Sequence, residues 1–224
     1  MLLLRLLPFL VPVPLVAQVL AQTSSAVLPA AESLRVIPAP REVLSAGAPA
    51  RVAGDAIAVE GTSDPELRGA AEEFVATMRE RGVRATLDDS PAGWAVRLHR
   101  PSARAARELL TEHRLAFDSA MQAEGYVLVT DARGAQVVAA SDAGMFYGLQ
   151  TLKQLISRAG TQVRVQPAVV RDWPAMRWRG LHDDISRGPM PTLEFQKKQL
   201  RTLAAYKVNV YSLYFEHTLA FASQ

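Results

Sequence analysis

Between Asp64 and Gly82 the apolar residues Leu67, Ala70, Ala71, Phe74, Val75 and Met78 return at every third or fourth position, a spacing that places them on one helical stripe. Asp64 is placed to cap this helix, Pro65 suits its first position and Gly82 ends it. Runs of strand character lie around it: AIAVE at 56–60, VRATL at 83–87, WAVRL at 94–98, GYVLVT at 125–130 and AQVVAA at 135–140. The last two, joined by DARG, read as a hairpin. A second helix is predicted in SDAGMFYGLQTLKQLISRAG, with Asp142 as cap, Met145, Leu149, Leu152 and Ile156 on one face, and Gly160 at its end. Short strands alternating with amphipathic helices from Ser33 to Asp172 predict one α/β or α+β domain, a sheet covered by helices.

At Trp173-Pro174 the pattern turns a corner. Beyond it, WRGLHDDIS reads as a buried strand and leads through RGPMPT to a helix capped by Thr192. Leu193, Leu200, Leu203 and Ala204, flanked by Phe195 and Tyr206, form a broad apolar arc on that helix, with Lys197, Lys198 and Arg201 opposite. KVNVYSLYF follows as a second buried strand. This β-α-β unit needs further strands to be stable, so it reads as the start of a second domain cut off at Gln224. The expected division is a leader at 1–21, a first domain at 32–172 and a second, truncated one at 173–224.

The leader is expected because the first 22 residues hold one charge, Arg5, then an apolar run, then small residues at Val19 and Ala21. Prolines 8, 12 and 14 interrupt the run, which favours an export signal over a membrane anchor. The chain is therefore expected outside the cytoplasm, periplasmic or extracellular, and free of the membrane after cleavage. It has 224 residues, 49% hydrophobic and 21% charged, and no cysteine, so it must be stabilised by burial rather than disulfides. Its net charge of +3 comes from scattered arginines with no basic stripe, which argues against nucleic acid as a partner.

The densest chemistry lies in WRGLHDDISRG at 178–188, with Arg179, His182, Asp183, Asp184 and Arg187. Read from residue type alone, these form either a structural ion-pair cluster or a polar binding site. A metal is not expected: neighbours on a strand face opposite ways, and no second His or Cys stands at ligand spacing. His99 and His113 belong to no His-Glu-x-x-His helix, and no cofactor is expected.

AGMFYGLQTLKQLI, RDWPAMRWRGLHDDISRG and LAAYKVNVYSLYF resemble the glycoside hydrolases of family 20, the β-N-acetylhexosaminidases. The resemblance runs from about Val36 to Phe215 and is specific in its last eighty residues. It implies a zincin-like α+β domain followed by the first β-α-β unit of a (β/α)8 barrel. It further implies a retaining, substrate-assisted hydrolysis of terminal N-acetylglucosamine or N-acetylgalactosamine from glycans. The match assigns Arg179 to grip the sugar's ring hydroxyls, and Asp184 and Arg187 to the family's Asp-x-Ser-Arg. Two departures bear on the substrate: Gly188 stands where a histidine is usual, and Ser212 and Tyr214 replace the histidines of the second strand. Glu216 and His217 then fall at that strand's carboxyl end, where a barrel presents its site. Arg179, Asp184 and Glu216 are thus the candidate substrate-binding residues. The family's catalytic Asp-Glu pair belongs to a later strand, so no residue of this chain is assigned as catalytic and the fragment itself is expected to be inactive. Two alternatives stand beside this reading: a relative of family 84, which removes O-linked N-acetylglucosamine, and a non-catalytic carbohydrate-binding or scaffold module. The sequence carries no sign of its oligomeric state.

Overall fold

The structure, a computed structural model, describes residues 34–60 and 64–216. The expected leader at 1–21 and His217 lie outside the described residues. Twelve strands and four α-helices follow in order: β1 (Glu42–Ala46), β2 (Ala50–Arg51), β3 (Ala56–Glu60), α1 (Pro65–Glu80), β4 (Arg84–Asp88), β5 (Ala95–His99), α2 (Arg104–Glu112), β6 (Tyr126–Thr130), β7 (Gly134–Val138), α3 (Asp142–Leu155), β8 (Ile156–Ala159), β9 (Gln162–Val165), β10 (Ala168–Asp172), β11 (Gly180–Asp184), α4 (Leu193–Ala205) and β12 (Val210–Tyr214).

Seven strands form one mixed sheet in the order β1-β10-β6-β7-β5-β3-β4. β3, β4, β5 and β7 run parallel, while β6, β10 and β1 extend the sheet antiparallel from β7. All five residues of β6 are buried, because helices cover both faces there. Tyr126 and Leu128 point into the large core with Phe74, Met145 and Leu149 from α1 and α3. Val127 and Val129 point the other way, onto Ala106 and Leu109 of α2. Two glycines let α3 lie close on the sheet: a Cβ at Gly148 would stand 2.5 Å from Val137 Cγ1, and one at Gly144 would strike the carbonyl of Gly125. β2, β9 and β8 form a small antiparallel sheet beside the large one.

Most predicted elements appear within a residue of their expected bounds, and α1 begins on the Asp64 cap, whose carboxylate accepts from Glu66 N. The second helix differs at both ends. Ser141, not Asp142, is the cap: its hydroxyl accepts from Gly144 N at 3.0 Å, while the Asp142 carboxylate pairs with Arg100. The helix stops at Leu155, and Ile156 opens β8, so Gly160 (φ 62°) turns the β8–β9 hairpin instead of ending a helix. Ile156 packs as a strand residue because β9 supplies it with a backbone partner at Val165.

Beyond Trp173 the chain forms β11, α4 and β12, the two strands pairing in parallel from Gly180↔Val210 to Asp184↔Tyr214. This is the β-α-β unit read from the sequence, but its burial differs from that expectation. No residue of α4 is buried, Leu200 is 45% exposed, and β11 and β12 are half-buried or open. Among the described residues no third strand joins the pair, so the apolar arc of α4 and the outer strand faces have little to pack against.

Candidate functional site

The parallel strands carry a polar constellation at each end, and the two differ in character. At the carboxyl end, Asp184 Oδ1 accepts from the Ser186 amide at 2.9 Å and the Ser186 hydroxyl at 2.6 Å. These two donors, together with the nearby Arg187, hold its carboxyl below the usual carboxylate range. Arg187 stands between Asp184 (3.9 Å) and Glu216 (3.6 Å), its side chain 74% exposed. The Tyr214 hydroxyl donates to Glu216 Oε1 at 3.0 Å, which raises the phenol's pKa. His182 Nδ1 lies 3.2 Å from the Ser212 hydroxyl on the adjacent strand. Exposed ion pairs at such distances contribute about 0–1 kcal/mol, so the Arg187 donors remain largely free for a ligand's oxygens.

Asp183 takes no part in this group. Strand alternation turns it toward α4, where its carboxylate accepts from Gln199 Nε2 (3.1 Å) and the Tyr211 hydroxyl (3.2 Å). Asp183 and Asp184 therefore do not form a paired acid site.

Arg179 lies at the opposite, amino end of β11, about 16 Å of strand away from Asp184. Its Nε donates to Lys207 O at 2.7 Å, and its Nη1 donates to Glu124 Oε2 (2.7 Å) and Met176 O (2.8 Å). The guanidinium also sits over the Tyr147 ring, 5.5 Å from its centroid. The structure thus brings Asp184 and Glu216 together through Arg187 and leaves Arg179 apart from them, its Nε and Nη1 engaged by protein acceptors and its buried Nη2 without one. The strand expected at 178–186 already opens beside Arg179; the acceptors that engage its guanidinium are not legible in residue spacing.

Beside Arg179 is a second charged group that the sequence reading had not singled out. Lys207, 6% exposed, places its ammonium 2.7 Å from Asp172 Oδ2 and 2.8 Å from the Tyr126 hydroxyl. Tyr126 also meets Asp172 (2.9 Å) and the Thr151 hydroxyl (2.6 Å). Burial lowers the Lys207 pKa against the pull of Asp172, and burial together with Asp172 raises that of Tyr126 strongly. A cavity of about 230 Å³ adjoins this cluster, walled by Pro38, Tyr147, Trp173, Pro174 and Met176. A lysine between a helix and a strand looks in sequence like a solvated charge, and only its backbone hints otherwise.

Residues 33–173 match the family described as glycosyl hydrolase family 20, domain 2. The chain belongs to glycoside hydrolase family 20. Over 96 residues, 40% of the chain, it is 33% identical to a β-hexosaminidase of Porphyromonas gingivalis, and over 102 residues, 45% of the chain, 35% identical to a β-N-acetylhexosaminidase of Cellulomonas fimi. These stretches make up 12% and 20% of those relatives' own length. The N-acetyl-β-hexosaminidase of Streptomyces plicatus, solved with thio-NAglucal, superposes with a TM-score of 0.62 at 26% identity, over 81% of this chain and 34% of that enzyme. The family-20 match and the mixed α/β sheet agree with the membership expected from the sequence.

Proposed function

We propose that this chain is part of an exported β-N-acetylhexosaminidase, and that the carboxyl end of β11 and β12 forms one wall of its sugar site. In this reading the seven-stranded unit is a zincin-like accessory domain, and β11-α4-β12 is the first unit of a (β/α)8 barrel. Parallel strands joined by a crossover helix are the repeat from which such barrels are built, and their sites lie at the carboxyl ends of the strands. Export rests on the apolar leader expected at 1–21.

The observation that carries the site is that Asp184, Arg187 and Glu216 gather at that end with an exposed guanidinium between two carboxylates. A planar fork of donors matches adjacent ring hydroxyls, and flanking carboxylates accept the hydroxyl protons. In this reading Arg187, with its exposed guanidinium at the carboxyl end, takes the sugar-gripping role that the resemblance gives to Arg179. Substrate-assisted retention has the sugar's own 2-acetamido oxygen attack the anomeric carbon, while an acid protonates the leaving oxygen. In this reading the acid and its partner carboxylate come from a later strand, since Asp183 and Asp184 face apart. The chain by itself holds one wall of the site and turns nothing over.

The test uses the active polypeptide that contains this chain, with 4-nitrophenyl N-acetyl-β-D-glucosaminide as substrate. Arg187→Ala is expected to lower kcat/KM by about a hundredfold, the scale of about 3 kcal/mol of charge-assisted contact, with the melting temperature unchanged. Normal turnover by Arg187→Ala would return the site to other residues.

A further inference from the structure

We infer that Lys207 and Arg179 are positioning residues: a charge-paired clasp at the amino ends of β11 and β12 holds this strand pair on the seven-stranded unit, and so sets where Asp184, Arg187 and Glu216 stand. The clasp itself rests on geometry alone, and only its consequence for sugar binding rests on the function proposed above. Four observations converge on it.

The segment has little apolar adhesion of its own, since α4 buries no residue, β11 is largely open and β12 is half-buried. Its buried contacts with the large sheet are polar. Lys207 enters Asp172 of β10 and Tyr126 of β6, while Arg179 enters Glu124, just before β6. Asn209 then ties the two together: its Oδ1 accepts from Arg179 N (2.9 Å), and its Nδ2 donates to Glu124 Oε1 (3.0 Å) and Arg177 O (2.8 Å).

The backbone supplies the fourth observation. Lys207 has φ 59°, in the left-handed region, and closes α4 by donating to Ala204 O while Val208 N reaches back to Leu203 O. This paired closure is the position at which glycine is the usual residue, because a Cβ is strained there. A lysine in that place carries strain that its backbone role does not require. The ammonium in the Asp172–Tyr126 socket accounts for its presence.

The test is amide hydrogen exchange on the chain itself, with the β3, β5, β6 and β7 amides as internal reference. Lys207→Gly relieves the backbone strain and removes the ammonium, and Lys207→Met keeps most of the side chain's bulk without its charge. Both are expected to speed exchange in β11 and β12 by about a hundredfold, because a single broken buried pair leaves an uncompensated charge. Reference amides should stay protected. The Ser186 amide resonance, held by Asp184 at the far end of the strand, should move toward its unstructured position in both variants. Arg179→Met should act in the same direction. Protection in Lys207→Gly equal to or above that of the parent chain would overturn the inference, since relief of strain would then outweigh the clasp. Loss spread equally over the seven-stranded sheet would also overturn it, since Lys207 would then support the sheet and not the docking. Neither readout involves a sugar, so failure here is distinct from failure of the proposed activity.

Discussion

The seven-stranded unit and the β11-α4-β12 segment are written in similarly apolar sequence, yet they are held by different forces. Ten of the fourteen residues of α3 are buried, and none of the thirteen of α4. β6 reads YVLVT and is buried throughout, whereas β12 reads VYSLY and is half open. The difference is one of neighbours, since β6 lies between β10 and β7 under helices on both faces while β12 pairs with β11 alone among the described residues. An apolar pattern states what an element can bury, and burial follows only where a second surface meets it.

The largest expected effect breaks this comparison at its strongest point. Phe74 of α1 is fully buried in the large core, and Leu200 of α4 is 45% exposed. Phe74→Ala should cost about 3–5 kcal/mol of unfolding free energy through lost transfer energy and the cavity left behind. Leu200→Ala should change it by less than about 0.5 kcal/mol, as at ordinary surface positions. Urea unfolding followed by far-UV circular dichroism measures both, and equal losses would show that α4 has a core after all.

What was legible in the sequence follows the same divide. The α1 stripe, its Asp64 cap and the 126–138 hairpin were readable because each depends on residues close in the chain. β8 and β9 were not readable: LISRA continues the helical spacing of α3, and only pairing with β9 and a carbonyl-to-amide contact from Leu155 to Gln166 make a hairpin there. α2 also escaped the reading, its Ala106 and Leu109 being too few to mark a stripe among arginines. At the candidate site, Asp184 and Glu216 were readable as strand-end residues. The engagement of the Arg179 guanidinium by Glu124 and the burial of Lys207 were not, because both are set by contacts with Glu124, Tyr126 and Asp172, thirty or more positions away.

A smaller effect sharpens the comparison at the helix caps. The Ser141 hydroxyl caps α3 and also donates to Ala123 O, and the Thr192 hydroxyl caps α4 by accepting from Phe195 N at 3.2 Å. Either cap replaced by alanine removes a similar local contribution, about 1 kcal/mol. Ser141→Ala should lower global stability by that amount, because α3 unfolds only with the large core. Thr192→Ala should leave the global midpoint in place and raise exchange only in the first turn of α4, since that helix opens locally. A global shift in Thr192→Ala would couple the two regions more tightly than their packing indicates.

The smallest expected effect is an acid dependence confined to the large sheet. His99, at the end of β5, is half-buried, its Nε2 has no hydrogen-bond partner, and burial lowers its pKa from 6.5 against the opposing influence of Gln136 and Glu60. Between that lowered value and 6.5 the unfolded chain holds more protons than the folded one, so stability rises with pH across the window. This contribution is complete above pH 6.5, declines as the pH falls through it, and levels off below the folded value. His99→Gln removes the titrating group from the same position, so its urea midpoint should fall less than that of the parent chain between pH 7 and pH 5. The change should register in exchange of the β5 and β7 amides, whose strands are paired at His99 and Val138, and not in β11 or β12 beyond the intrinsic effect of pH. Parallel midpoint profiles for the two chains would mean that the imidazole keeps its ordinary affinity for protons in the fold, and the acid sensitivity of the sheet would then have to come from its carboxylates.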